Sequence, residues 1–449
     1  MQIPLPTGLK SIPDLPKQRE AVVNMFRQKA NLLPRPGIVT ESTGLDATRG
    51  AFVLNGFAYF VMGNRIYRRL SDGTMVDLGE LTGTSRVNYD VGLYGAIMVD
   101  SVGGGGYVLT DSSFTQITSP YFEASRDCAY IDGIHVFIPI DGGPAFYSQT
   151  GSATVYPAAN TFDAELLPDK NRGVRNFRND LYIMGEELTE LFRTTGVSGA
   201  EFARVEGAAV PVGLVAGHIE YGPSFVFMGK EKNHNYGIFQ MLQGQAPRIS
   251  NDTVDNILNT EYTFAELETC YCNRFKWESV DIVTFHLPRH TLAFYGEWAI
   301  FESGTDEETK EPWKASAIAF LEGSYYVGGT NGYIGYLGGD QDFGGDFAVG
   351  FDTFARSERG KYFSLANLEL DCLTGETATE YRVSLQVSED GKTWSQRFWR
   401  GLGTTGQTQR RVCWDMPGGL GSYESFAGIR IRSTEAVSMP VEAMQADIA

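Results

Sequence analysis

One hairpin shape recurs along this chain, and it restricts the possible folds more than any other feature. A turn containing Gly, Asp or Asn leads into a short apolar and aromatic strand, then a second turn and a second strand. The units begin at Gly56 (GFAYFVMGNRIYRRL), Gly92 (GLYGAIMVD, then GGGGYVLT), Asp132 (DGIHVFIPIDGGPAFYS), Asn179 (NDLYIMGEELTELFRT), Gly222 (GPSFVFMGKEKNHNYGIFQML), Ser279 (SVDIVTFHLPRHTLAFYG) and Gly323 (GSYYVGGTNGYIGYLGG). Successive units start roughly 36 to 57 residues apart, close to the period of propeller blades. A lone hairpin cannot bury both faces, so units at this period stack on one another around an axis. The pattern predicts an all-β chain with a β-propeller of six or seven blades over residues 41–345. A β-sandwich of irregular hairpins is the competing reading, because the units share a pattern and not residues.

The rest of the chain fits short strands. Tyr (22) and Phe (28) favour strands and 52 Gly supply turns. After the glycine cluster at 332–350 the texture changes: FSLANLELDC, TEYRVSLQVSEDGKTWSQ, RRVCWDM and FAGIRIRS alternate with period two. A C-terminal β-sandwich-like domain is expected over 346–449. Helix is expected in a short insert, where Asn251-Asp252 caps VDNILNT and Thr263 with Glu266 has capping-box spacing. KQREAVVNMFRQKA admits a helix too, but Val22-Val23 and the flanking prolines count against it.

Charge narrows the function. The formal net charge is -18, so the chain as a whole lacks the cationic footprint that grips nucleic acid. Residues 1–40 differ: Lys10, Lys17, Arg19, Arg27, Lys29 and Arg35 against Asp14 and Glu20 give +4, which leaves -22 elsewhere. With prolines from Pro4 to Pro36, this segment reads as an extended basic N-terminal arm, packed on an acidic neighbour or on its own domain. No apolar run reaches membrane-spanning length and the start lacks a secretory signal pattern, so synthesis and folding in a cytoplasm are expected. Cys128, Cys270, Cys272, Cys372 and Cys413 are an odd, sparse set that fits buried reduced thiols.

No motif nominates a catalytic, cofactor or metal residue. Ser388, Asp390, Gly391, Thr393 and Trp394 match the Asp-box pattern of sialidase propellers, where it is a hairpin turn; here it occurs once, outside the propeller region. His286-Leu-Pro-Arg-His290 spaces two imidazoles like a zinc helix, but Pro288 breaks the helix and no Glu lies between them. Cys270 and Cys272 lack a second thiol pair. Gly103–Gly106 lacks the Lys and hydroxyl of a phosphate loop and reads as a loop tip. His135, His218 and His234 fall in separate units, and Glu186-Glu187 and Asp306-Glu307-Glu308 read as solvated turns.

The order of motifs nonetheless resembles a known family, the packaged-DNA stabilisation proteins or tail accessory factors of short-tailed bacteriophages. The match is carried by Val23-Asn24-Met25, Pro36-Gly37-Ile38, Arg49-Gly50, Phe192 through Thr195-Gly196, the stretch from Ile249 to Tyr262-Thr263, and His286 to His290 with Leu292 and Tyr295. It runs from about residue 20 to the VSEDG hairpin and the strand Ile429 to Arg432; the GGGG loop and the Cys270/Cys272 pair depart from it. The resemblance implies a non-enzymatic virion protein, a tail nozzle or hub that forms a homo-hexameric ring below the portal adaptor protein. It further implies that the ring retains packaged DNA, anchors the tail needle or plug and the tailspikes, and lets double-stranded DNA pass without specific binding during ejection. An acidic wall suits such a channel, because it offers phosphates nothing to hold. The alternatives are a propeller glycosidase or polysaccharide depolymerase, and a glycan-binding tail module in the last hundred residues.

Overall fold

The computed structural model describes residues 2–12, 15–102, 105–164, 166–232, 235–305, 308–356, 362–415, 419–424, 426–435 and 438–448. Asp14, Gly103, Gly104, His234, Asp306 and Glu307, singled out above, lie outside the described residues.

Seven antiparallel blades follow one another, the sixth forming one end of a larger sheet. Their first strands are Thr48–Leu54, Val87–Gly92, Ser125–Ile131, Asn171–Phe177, Val212–Tyr221, Tyr271–Trp277 and Ala315–Leu321. Each first strand packs against the first strand of the next sheet, and Ala315–Leu321 returns to Thr48–Leu54, so the sheets close a seven-bladed propeller. The turn between the first and second strands has two residues in every blade: the pairs Leu54↔Phe57, Gly92↔Gly95, Ile131↔Ile134, Phe177↔Asp180, Tyr221↔Ser224, Trp277↔Val280 and Leu321↔Ser324 bracket it. Six of these turns use left-handed backbone, and Leu93-Tyr94 in blade two is the exception. Asn55-Gly56 and Asp132-Gly133 supply it cheaply, whereas Arg178-Asn179 and Glu278-Ser279 adopt positive φ with full side chains.

The seventh blade is completed from the other end of the chain. Its third strand, Ile334–Leu337, pairs with Ile38–Ser42. Gly37 makes room for this closure, since a Cβ there would stand 2.3 Å from the Gln341 carbonyl oxygen. The fifth blade has three strands, and helix α1 (Asp252–Thr260) packs beside its third, Tyr236–Met241. Asn251 caps α1 by accepting from the amides of Thr253 and Val254, and Val254, Ile257 and Leu258 face the core. Thr263 and Glu266 form the expected capping box on a single-turn helix, Phe264–Leu267.

Two sheets form the C-terminal sandwich. One contains Val349–Arg356, Phe426–Ser433, Arg382–Ser388 and Phe398–Gly401; the other contains Phe363–Cys372, Val441–Ile448 and Val412–Asp415. Residues 1–40 correct the expectation of an extended arm. Leu15–Val23 pairs with Val349–Arg356 and touches the last strand of blade six through Ile300↔Val23, so one sheet runs from propeller into sandwich. Met25–Gln28 and Asn31–Pro34 form a hairpin joined to the second sheet at Val441, and Gln2–Ile3 pairs with Met444–Gln445. The stretch that admitted a helix is therefore strand, broken at Asn24 (φ 53) and ending in the Lys29-Ala30 turn. The reason is burial: Val22, Met25, Phe26 and Leu32 enter a core shared with Phe301 and Trp313 of the propeller and Leu385, Ile429 and Trp414 of the sandwich. A free arm would leave those side chains in water.

Candidate functional site: the propeller hub and assembly surfaces

The hub is built on a residue pattern that the hairpin reading missed. Thr48-Arg49, Ser85-Arg86, Ser125-Arg126 and Asn171-Arg172 open the first four blades. Arg49, Arg126 and Arg172 are the extra residue of a β-bulge, and Ser316 takes that place in blade seven. The innermost strand of a blade has an edge with unpaired main-chain groups facing the axis. Side chains from neighbouring blades satisfy many of them. Asn88 Nδ2 donates to Arg126 O (2.8 Å), Asn176 Nδ2 to Tyr130 O (2.7 Å), Asn273 Nδ2 to Ser316 O (3.1 Å), Ser316 Oγ to Thr48 O (2.6 Å) and Arg49 Nη1 to Ser85 O (2.7 Å). Asp90 accepts from the Tyr130 amide (2.7 Å), and Asp127 from the Val174 amide (2.8 Å) and His218 Nε2 (2.9 Å). Burial raises the Asp90 carboxyl above its ordinary range, although the Tyr130 amide pulls the other way. Arg86 crosses the hub: its Nη1 donates to Ser316 O of blade seven (2.9 Å) and its guanidinium lies 4.2 Å from the Tyr271 ring of blade six.

A second cluster locks propeller to sandwich. Arg35, fully buried, spends all five donors: Nε on Asn24 Oδ1 (2.7 Å), Nη1 on Pro36 O (2.9 Å) and Asp342 Oδ1 (2.9 Å), Nη2 on Glu302 O (3.0 Å) and Asp342 Oδ2 (2.6 Å). Its flat face lies 3.9 Å from the Phe347 ring and 5.0 Å from Trp313. Asn24 returns to Glu302 O and Ala348 O. In the sandwich, Arg430 and Arg432 flank Asp352 at 2.9 and 2.8 Å. Burial alone would raise that carboxyl, but the two guanidinium groups hold it below the ordinary range.

Among the described residues, the side chains weighed in the sequence are occupied by structural contacts. His286 is buried, stacked 4.6 Å on Tyr271, and bonded to Asn273, Thr284 and Thr291. Burial, and then the nearby Arg86 charge, push it down to about 3. His290 lies across the Pro turn and bonds Tyr262 Oη (2.7 Å), so the two rings serve different neighbours. His135 is buried with both ring nitrogens unpartnered, and burial lowers it to about 4. Cys270 and Cys272 lie against Gly217, and burial pushes the Cys272 thiol well up, away from thiolate. Among the described residues no group of three His, Cys, Asp or Glu is placed to hold a metal ion. Glu186 pairs with Arg172 at 3.0 Å, and Gly106 begins a strand against Phe122. In the Asp-box turn, Asp390 Oδ1 accepts from the amides of Lys392 (2.8 Å) and Thr393 (2.7 Å), which hold its carboxyl down to about 2. Gly391 takes φ 69 and Trp394 packs 4.1 Å under Arg430, so the motif is a structural turn of the sandwich.

Models of two protein families fit this chain end to end. "Bacteriophage P22 Gp10, beta-propeller" matches residues 1–342 and "Bacteriophage P22 Gp10, beta-sandwich" matches 349–449. The chain belongs to the bacteriophage P22 Gp10 family. Within it, the chain is 22% identical over 312 residues to the tail hub protein gp10 of Salmonella phage P22, a match covering 63% of this chain and 65% of that relative, just under two thirds of its length. Among solved structures, the N-terminal domain of Nup159 aligns over 71% of this chain and 98% of its own (9% identity, TM-score 0.42). An exo-beta-1,3-galactanase from Phanerochaete chrysosporium aligns over 91% and 99% (10% identity, TM-score 0.31). Both likenesses are too slight to bear on function. The Gp10 assignment also accounts for the collinear motifs: Asn24 and the Pro36-Gly37 pair that helped to carry the resemblance build the Arg35 lock and the closure of blade seven.

Proposed function

We propose that this Gp10-family chain is a structural subunit of a phage tail hub. The observation that carries the reading is the family match across both domains, together with the named role of the P22 relative. In this reading six copies form a ring below the portal adaptor. The ring retains packaged DNA, anchors a needle or plug and the tailspikes, and opens a channel at ejection. Residues 41–345 and 346–449 are its two structural units, with the N-terminal strands tying them together.

The hub geometry supports a channel between copies over one through each propeller. The major groove of a duplex is about 12 Å wide by itself, whereas Arg86 reaches across the propeller axis to blades six and seven. A ring of identical subunits needs heterologous contacts that close after a fixed rotation, and the rigid tie between propeller and sandwich gives each copy one shape to present. Electron microscopy of tails assembled with this chain tests the proposal. A ring of six copies around an axial channel is expected; tails that hold the chain in another number, or particles that assemble and keep their DNA without it, refute it.

A further inference from the structure

Residues 391–414 contain Lys392, Arg397, Arg400, Arg410 and Arg411 and no Asp or Glu, so they carry +5 and the remainder of the chain -23 (-18 minus +5). The fold collects this segment on one side of the sandwich. Phe398–Gly401 is the outer strand of one sheet and Val412–Asp415 that of the other. The two edges are tied: Trp414 Nε1 donates to Phe398 O (2.6 Å), Arg400 Nε to Cys413 O (2.7 Å) and Arg400 Nη1 to Trp399 O (2.9 Å). These bonds occupy carbonyls that an added strand would need, so the edge is poorly suited to take a peptide by strand addition.

It presents side chains instead. Trp399 is half-buried, with the guanidinium groups of Arg382 and Arg397 at 5.2 and 5.8 Å from its ring centroid. Arg382 stands opposite Gly401, and a Cβ on Gly401 would meet the Glu380 carboxylate first and Arg410 at 3.2 Å, so Arg410 joins the patch as one half of an ion pair. At Arg410 lies a shallow, open depression of about 450 Å³ lined by the single segment Gly406 to Arg410. Arg382, Arg410 and Arg411 have carboxylate partners in Glu435, Glu380 and Glu369. Lys392, Arg397 and Arg400 form no ion pair among the described residues, and of these Arg397 lies at the tryptophan ring while Arg400 bonds its carbonyl.

We propose that this edge binds an anionic polysaccharide, one whose sugars carry carboxylate or phosphate. An indole offers a sugar its apolar face, guanidinium forks match oxyanions, and the Gln and Thr side chains match ring hydroxyls. A long duplex suits the site less well. The four-residue strand spans only about 13 Å, and the -23 beyond it repels extended polyanions. The site is independent of the tail-hub reading and can be tested on the full chain.

Isothermal titration with polygalacturonate and with phosphomannan separates carboxylate from phosphate as the recognised group, with dextran and a short DNA duplex as comparators. Binding of at least one anionic glycan is expected, weaker at high salt, and about tenfold weaker or worse in Arg397→Gln and in Trp399→Ala. Arg397 is exposed, so its variant should keep the native circular dichroism and melting temperature and decides the matter alone if the tryptophan variant misfolds. The proposal is overturned if dextran binds equally well, if the duplex binds more tightly than either glycan, if no glycan binds at low salt, or if Arg397→Gln binds as the parent does.

Discussion

Asp342 is 3% exposed and takes two of the five hydrogen bonds donated by Arg35. Removing it strands a buried guanidinium, so Asp342→Ala should cost about 3–5 kcal/mol in urea unfolding, and Arg35→Met with Asp342→Leu should recover much of that loss. The buried imidazoles set the acid limit. His135 and His286 titrate at about 4 and about 3 in the fold against 6.5 outside it. The unfolded chain binds more protons between those values, so stability is full above pH 6.5, falls as pH drops through that window, and levels off below the folded values. Each histidine should remove about 2 kcal/mol between pH 7.5 and 5, and in His135→Phe the loss over that interval should shrink by about that much. That residues 287–290 form a turn between two strands and not a helix was readable from Pro288. The sequence did not disclose what His286 does, since the neighbours of an imidazole come from strands and turns that only the closed propeller brings together.

At the scale of elements, hairpin periodicity was enough to read a propeller, because each blade repeats apolar strands and a two-residue turn. Blade number was harder: the seventh blade borrows Ile38–Ser42 from some three hundred residues away, and no local pattern announces such pairing. The Ser/Thr/Asn-Arg repeat was visible in the letters, but one residue pair per blade drowns among strand residues until the bulges align it. For the basic N-terminal segment the sequence left open whether it packs on a neighbour or on its own domain, because charge and prolines hid the apolar Val22, Met25, Phe26 and Leu32, which have partners only in distant strands. Two predictions belong here. Glu278 and Ser279 hold left-handed backbone without Gly or Asn, so Asn-Gly in their place should stabilise the fold by about 1–2 kcal/mol in chemical denaturation. Deleting residues up to Ser42 removes the closing strand of blade seven and the N-terminal side of the shared core, and should yield aggregated or protease-sensitive protein in limited proteolysis.

The whole molecule is an acidic scaffold whose cations are mostly spent on internal bonds: Arg35, Arg49, Arg172, Arg430 and Arg432 all pair within the chain. A gel-shift titration with duplex DNA at physiological salt should therefore show no retardation. If the chain lines a genome channel, reversing exposed carboxylates to lysine should slow ejection and make its rate depend on salt. The pairing of Gln2 with Gln445 has a further consequence for biogenesis. A ribosome adding about 5–20 residues per second needs about 20–90 seconds to make the partner of the second residue after the first has emerged. Throughout that delay the opening segment of the polypeptide has nothing to pair with. Nascent chains should consequently stay open to chaperones until Gln445 has been made, and a product truncated before Met444 should be cleared without ever reaching a native state.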